Sequence, residues 1–333
     1  MKAARIFGPR DIRYEEVPAP VPGHGEVLVR VRAEGVCGSD LLLLEGDFAY
    51  IRDGLTTYPF TPGHEWSGRV AEVGPGVEGF APGDPVVGEP SLGCGECRWC
   101  LRGRYDLCPS RQEVGSLRNK EGGYAEYILM PARHLYKVPA GVTLEEAALT
   151  EPAADAVYAL GKARVAGAGL VVILGDGPMG LLSLQAARAF GAARTLLSGL
   201  SDKKLSVARE LGADEVLHAG RENLRERVLE LTGGEGAELV VEASGSPDAM
   251  AETVHLISPG GEIVALGIYG GGSMPFDMTT LVLKDAKLIG SHVSPNCFPP
   301  TLALMAAGRI LAEPLITHRF PLSAGSDALR AQE

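Results

Sequence analysis

No stretch of the 333-residue chain reaches the ~18 nearly uncharged apolar residues that a membrane-crossing helix needs. Basic excess is missing too: 31 Lys and Arg stand against 42 Asp and Glu, for a formal net charge of −11, and no basic cluster offsets it. Such a chain repels a phosphate backbone, which argues against nucleic acid as a partner. The opening MKAARIFGPRDIRYEE lacks the continuous apolar core of a secretory leader, so a cytoplasmic protein is expected. Low-complexity tracts are absent as well, because the 44 Gly and 23 Pro are spread along the chain as turns and close backbone approaches demand. Cysteine is sparse except at one place. Four of the six fall in Cys94–Cys108, and in a reducing compartment such a cluster points to metal before disulfides.

What is present divides into two textures, and the length exceeds the ~250–300 residues at which a single core stops growing. Up to about Glu151 the signals are strand and turn. Gly25–Cys37 and His64–Gly74 carry β-branched residues bounded by glycine, and Pro75–Val87 adds corners. A compact, partly closed antiparallel β-barrel is expected. From about Pro152 short apolar strands alternate with helical stretches, beginning with Ala168–Gly175 and then Pro178–Ala192, which opens on proline and closes at glycine. That alternation predicts a parallel sheet covered on both faces, so the fold class is α/β with two domains. Phe298–Ile310 reads as one further helix.

In CGECRWCLRGRYDLC the gaps let a short loop wrap Cys94, Cys97, Cys100 and Cys108 around one ion, and four thiolates favour tetrahedral zinc. An iron–sulfur cluster is the main rival. Four protein ligands leave no open position, so this ion holds a loop together. Gly175-Asp-Gly177-Pro178-Met179-Gly180 is a G-x-G-x-x-G between a predicted strand and a predicted helix, the context in which backbone amides cradle a dinucleotide pyrophosphate. The acidic residue expected about twenty positions on, which would hold the adenosine ribose, is lacking. The next strand ends in Ser198-Gly199, so a 2′-phosphate meets no repulsion there, and Ser198, Ser201, Lys203 and Lys204 are its candidate partners. This leans the reading toward NADP, with Asp202 as the alternative ribose partner that would keep NAD. A second metal site needs a mixed donor set with one place open. Cys37, His64, Glu65 and Glu151 supply such donors, but their spacing alone does not group them.

The chain resembles the zinc-dependent medium-chain dehydrogenases of the alcohol dehydrogenase superfamily, in particular their polyol and threonine dehydrogenase-like branch. The likeness is carried by VCGSD at Val36–Asp40, PGHEWSG at Pro62–Gly68, GVEGFAPGD at Gly76–Asp84, the four-cysteine lobe, GGYAEY at Gly122–Tyr127, Glu151-Pro152, the GDGPMG loop and LITHRFPL at Leu315–Leu322. It implies a GroES-like catalytic domain over 1–151 with a zinc lobe at 90–110. A Rossmann cofactor domain over 152–290 and a return to the catalytic domain over 291–333 follow. It implies that Cys37 and His64 ligate a catalytic zinc, with Glu65 a near ligand exchangeable with water and Glu151 a further direct or water-mediated one. Ser39 matches the hydroxyl that passes the alcohol proton. Two zinc ions per chain, NAD(P), and a homodimer or homotetramer joined Rossmann domain to Rossmann domain through the edge strand near Glu262–Leu266 are also implied.

The sequence departs from the family at three places. Leu42 stands where a histidine often relays the proton, Tyr158 lies near another expected histidine, and LRAQE stops where relatives commonly add a last strand. The activity implied is reversible oxidation of a secondary alcohol to a ketone, with a polyol or sugar alcohol first, L-threonine next and a simple secondary alcohol third. Asp47, Tyr50 and Arg52 are candidate lining of the substrate cleft. A zinc-stabilised nucleotide sensor or a zinc-free quinone reductase would both lack the open metal site.

Overall fold

A computed structural model describes residues 1–269 and 273–332. The chain forms two compact units, Met1–Glu151 with Phe298–Ala306 and Leu315–Glu333, and Pro152–Cys297 with Ala307–Pro314.

In the first unit β1 (Lys2–Gly8) and β2 (Asp11–Glu16) form a hairpin ladder, followed by β3 (Glu26–Glu34), α1 (Gly38–Glu45) and α2 (Ala49–Arg52). Then come β4 (Trp66–Val73), β5 (Pro85–Gly88), β6 (Ser91–Leu92), β7 (Gln112–Glu113), β8 (Tyr127–Pro131), β9 (Leu135–Lys137) and α3 (Leu144–Ala148). The main sheet is antiparallel in the order β8-β3-β4-β5-β9, with Val29 opposite Val70 on one side and Ile128 on the other. Val27, Val29, Trp66, Val70, Val86, Ile128 and Met130 pack into one buried cluster. The β3–β4 ladder shifts register at Leu28/Val29 and again at Val31/Ala33, yet these apolar side chains still meet in one cluster.

Helix α4 (Thr150–Gly161) leads the chain into the second unit. There β10 (Val171–Leu174), α5 (Pro178–Ala189), β11 (Thr195–Gly199), α6 (Asp202–Glu210), β12 (Glu215–His218) and α7 (Leu224–Leu231) alternate. They are followed by β13 (Ala237–Glu242), α8 (Pro247–Leu256), β14 (Ile257–Ala265), α9 (Met278–Leu283) and β15 (Lys287–Gly290). All six strands are parallel, in the order β12-β11-β10-β13-β14-β15. The order reverses between β10 and β13, which makes that crevice the ligand-binding position of a doubly wound sheet. Every residue of β10 is buried, as a central strand covered on both faces requires. The helices start where side chains satisfy free amides: Ser201 caps α6, Asn223 α7, Ser246 α8 and Asp277 α9. Helix α5 ends at Ala189, with Gly191 at φ 90° beyond it, not at Ala192.

The chain then re-enters the first unit with α10 (Phe298–Ala306) and later α11 (Gly325–Arg330), whose Leu329 is fully buried beside Ala4, Ile6 and Phe60. Helix α10 stops short of Ile310, with Gly308 at φ 65°. Among the described residues no helix is long and apolar enough to cross a membrane.

One expectation is corrected here. The strand over Glu262–Leu266 is not the edge of the parallel sheet. It is β14, paired on its outer side by β15, with Glu262 opposite Lys287. The pairing is locked by charge, since buried Glu262 accepts from Lys287 Nζ at 2.8 Å, Arg164 Nε at 3.2 Å and the Arg164 amide at 2.7 Å. Burial alone would raise this carboxyl, but these donors outweigh it and hold it below its ordinary value. A group depressed in the folded state stabilises fully above its unfolded pKa of ~4.3, and the contribution is lost as pH falls through the folded value. Glu262→Gln is therefore expected to lower the melting temperature at pH 7. The gap to wild type should narrow progressively below about pH 4 in a pH series of thermal melts; a gap constant down to pH 3 would contradict the assignment.

Candidate active site and metal centres

Between β6 and β7 the chain has almost no regular structure, only two short 3-10 turns at Cys100–Arg102 and Tyr105–Leu107. All six cysteines are free. The ligand atoms of Cys94, Cys97, Cys100 and Cys108 lie within 4.8 Å of one another. Sγ of Cys100 is 3.9 Å from that of Cys94 and 3.6 Å from that of Cys97. A tetrahedron with Zn–S bonds of ~2.3 Å has edges of ~3.8 Å, so the four thiols fit zinc. The amides of Glu96 and Cys97 bring the Cys94 thiol down to about 7, while burial pushes Cys100 up to about 12. A buried carboxylate ties this lobe to the sheet. Glu89 accepts from Tyr105 OH at 2.5 Å and Tyr136 OH at 3.1 Å, and pairs with His134 Nδ1 at 3.2 Å.

The second cluster sits where two chain segments of the same unit meet. Cys37 is the N-cap of α1, and His64 and Glu65 immediately precede β4. One ligand atom from each of Cys37, His64 and Glu65 lies within 4.8 Å of the others, giving a mixed S, N and O set of the kind a catalytic zinc takes. Asp40, fully buried, supports it from behind. It accepts from the Cys37 amide at 3.0 Å and Tyr124 OH at 3.3 Å, and its Oδ1 lies 3.7 Å from His64 Nδ1. That separation is longer than a hydrogen bond, and both atoms are buried without a hydrogen-bond partner. Burial and the charge of Glu65 push the Cys37 thiol up, and burial likewise raises Asp40. Burial would lower His64, yet the Cys37 sulfur, Asp40 and Glu151 together carry it well above its usual value. A divalent cation would offset this concentration of buried acidic groups and favour the thiolate, so the donor set fits a metal ion.

Other expected site residues are distributed as follows. Glu151 is buried and acts on His64 through its charge, but it lies outside the three-residue group. Ser39 is half-buried in the first turn of α1, two residues beyond Cys37, and Leu42 is partly exposed further along the same helix. Asp47 and Arg52 are exposed. Tyr50 is half-buried and accepts from Arg111 at 3.0 Å, and burial with the Glu113 charge raises its hydroxyl to about 12. Tyr158 carries Lys162 over its ring at 4.2 Å.

In the second unit the glycine loop joins β10 to α5. A side chain at Gly180 would stand 1.9 Å from the Gly175 carbonyl, and one at Gly175, where φ is 115°, would stand 2.9 Å from the Ser244 amide. Gly177 caps α5 and Pro178 opens it, so the first-turn amides of Met179 and Gly180 have no intrahelical acceptor. The loop thus offers free donors and a backbone without side-chain cover, which fits a pyrophosphate. At the end of β11 the expectation of a carboxylate-free site is corrected. Asp176 Oδ2 accepts from the Leu200 and Ser201 amides at 2.8 and 2.7 Å, so its carboxylate fills the space beside Gly199. Ser198 is buried, Ser201 caps α6, and Lys203 and Lys204 are exposed. Asp202 is held by Arg221 through two contacts of 3.0 Å.

Comparison with known proteins places this geometry. The chain matches the alcohol dehydrogenase GroES-like domain over residues 23–140 and the zinc-binding dehydrogenase family over residues 178–307. It is 34% identical to a sorbitol dehydrogenase of Halalkalibacterium halodurans, over 95% of this chain and 91% of that one. The chain belongs to the zinc-dependent medium-chain dehydrogenases of the alcohol dehydrogenase superfamily. An L-threonine 3-dehydrogenase of Pyrococcus horikoshii is 35% identical, over 92% of this dehydrogenase and 87% of the relative. A Sinorhizobium meliloti protein described as a zinc-binding dehydrogenase, solved with NADP bound, superposes at a TM-score of 0.92. The two are 30% identical, with 98% of this chain and 94% of that one covered. The dehydrogenase is thus an NAD(P)-dependent oxidoreductase of a zinc-binding family. Its sequence alone gave no sign of Asp40, Glu89 or Asp176. Asp40 belongs to the VCGSD segment and Asp176 to the glycine loop, so both lay inside motifs that had been read for other residues.

Proposed function

We propose that this dehydrogenase reversibly oxidises a secondary carbon of a polyol or sugar alcohol to the ketone, with hydride transfer to NAD(P)+. The observation that carries the reading is the Cys37, His64 and Glu65 cluster with Ser39 two residues away on α1. Cys37, His64 and Glu65 would hold a catalytic zinc, with Glu151 a further direct or water-mediated ligand, and Cys94, Cys97, Cys100 and Cys108 a structural one. When bound, the first ion supplies Lewis acidity toward the alcohol oxygen and the nicotinamide supplies a hydride acceptor. Ser39 takes the hydroxyl proton at Oγ. Leu42 has no group to carry it further, so the onward route runs through water. Asp40 fixes the Cys37 backbone and faces the His64 imidazole, orienting two ligands at once. Gly175, Gly177 and Gly180 let the backbone approach the cofactor, and the Met179 and Gly180 amides meet its pyrophosphate. The sorbitol dehydrogenase relative supports the polyol assignment, and the Pyrococcus relative supports L-threonine as the second reading.

The cytoplasm suits the lobe, because a reducing compartment keeps its four thiolates available to the ion. Self-association is proposed through β15, the corrected sheet edge. Leu288 on that strand is 42% exposed, and Val282 and Leu283 on α9 just before it are 71% and 81% exposed. A symmetric homodimer or homotetramer would cover that edge.

The two metal roles separate by mutation. Cys97→Ser is expected to lower the melting temperature and soluble yield, because a structural ion contributes folding free energy. Cys37→Ala should leave the fold nearly intact, fall from two zinc ions per chain to one, and lose about a thousandfold or more in kcat. Wild-type turnover in Cys37→Ala would remove that residue from the catalytic set.

Light scattering at micromolar concentration checks the assembly. A multiple of the 34.9 kDa chain mass is expected, and a monomer would reject it.

A screen of polyols, sugars, L-threonine and small secondary alcohols with each cofactor tests the substrate class. The highest kcat/KM is expected for a vicinal-diol carbon, since a site that pairs the neighbouring hydroxyls discriminates strongly against analogues lacking them. A clean preference for L-threonine would transfer the protein to the second reading.

A further inference from the structure

In doubly wound dinucleotide folds an acidic side chain at the end of the second strand accepts from the adenosine ribose hydroxyls and repels a 2′-phosphate. Here that strand is β11, and its last residue is Gly199. The position has no side chain, but it is not empty. A Cβ added to Gly199 would lie 2.4 Å from Cβ and 2.4 Å from Oδ2 of Asp176. The carboxylate comes from the neighbouring strand's loop instead of from the strand itself. The parallel pairing of β10 with β11 sets Leu174 opposite Ser198, which places residues 175 and 176 alongside 199 and 200.

Asp176 is held there firmly. Its Oδ2 takes two amides, from Leu200 at 2.8 Å and Ser201 at 2.7 Å. Oδ1 has no hydrogen-bond partner among the described residues, and the residue is only half-buried. One oxygen is therefore anchored and the other is available. The competing groups are engaged elsewhere or point to solvent: Asp202 is paired with Arg221, the Ser201 hydroxyl caps α6, and Lys203 and Lys204 are exposed.

We infer that Asp176 is the cofactor-selecting residue of this dehydrogenase, accepting from the adenosine 2′-hydroxyl through Oδ1 and excluding a 2′-phosphate, so that the enzyme uses NAD. Gly199 is the complementary half of the device, since any larger residue there would displace Asp176. The inference rests on the glycine loop being the dinucleotide site, and the experiment separates the two.

Binding is measured by isothermal titration on the zinc-loaded protein with three fragments that cannot react: ADP-ribose, its 2′-phosphate and its 2′-deoxy form. Wild type is expected to bind ADP-ribose about tenfold or more tightly than either analogue, as loss of a hydrogen bond to a charged acceptor implies. Asp176→Asn keeps an oxygen for the two amides and removes the charge. It should cut the preference over the 2′-phosphate at least about fivefold without moving the melting temperature. Gly199→Asp should weaken all three fragments, because its side chain collides with Asp176. Asp176→Gly combined with Gly199→Asp returns the carboxylate to the strand and should restore the preference. Equal or tighter wild-type binding of the 2′-phosphate overturns the inference without use of any variant, and so does an unchanged preference in a folded Asp176→Asn. If wild type binds none of the fragments, the loop itself is not the cofactor site, and the inference falls with it.

Discussion

Buried negative charge is the constraint on which the catalytic arrangement depends. Cys37, Glu65, Asp40 and Glu151 converge in the interior of the first unit, each deprived of water that would stabilise its ionised form. Glu34 adds to the burden. It accepts from the Glu65 amide at 2.9 Å, and burial with the Asp40 charge pushes its carboxyl well up. Isolated charges in such surroundings either neutralise or find a cation. His64 is one answer, since these neighbours carry its pKa well above the ordinary value despite burial, but it is a single cation among several acidic groups. A divalent ion held by Cys37, His64 and Glu65 would resolve the conflict.

The same logic explains how the scaffold divides its labour. The four-cysteine lobe has little secondary structure, and the Glu89 network ties it to the sheet. The candidate catalytic ligands, in contrast, sit at the start of α1 and just before β4, elements fixed by the apolar packing of Leu43, Leu44, Trp66 and Val70. Their geometry is set by the core before any ion arrives. In the second unit the parallel sheet plays the corresponding part, holding the glycine loop and the end of β11 in register for the cofactor.

Local pattern made much of this legible. The four cysteines lie within one short loop, so their spacing alone makes them candidates for one metal site. The glycine loop is likewise a contiguous motif, and its strand before and helix after are visible in the burial period and in Pro178. The alternation of strands and helices beyond Pro152 indicated a parallel sheet, which the six parallel strands match. Which strand stood at the edge was not visible, since the sheet order is not written in Ile257–Ala265 or in Lys287–Gly290.

The sequence by itself determined the donor chemistry: thiolates at fixed gaps, a glycine-lined turn, and a cysteine, a histidine and carboxylates suited to an open metal site. Only the tertiary structure decided which of those donors meet. It grouped Cys37 with His64 and Glu65, left Glu151 to act through its charge, and set Asp40 behind the imidazole. It also moved a carboxylate to where the sequence showed a glycine. Asp176 and Gly199 are far apart along the chain, and no local propensity links them. Strand pairing does, because the register of two parallel strands fixes which loop ends lie side by side.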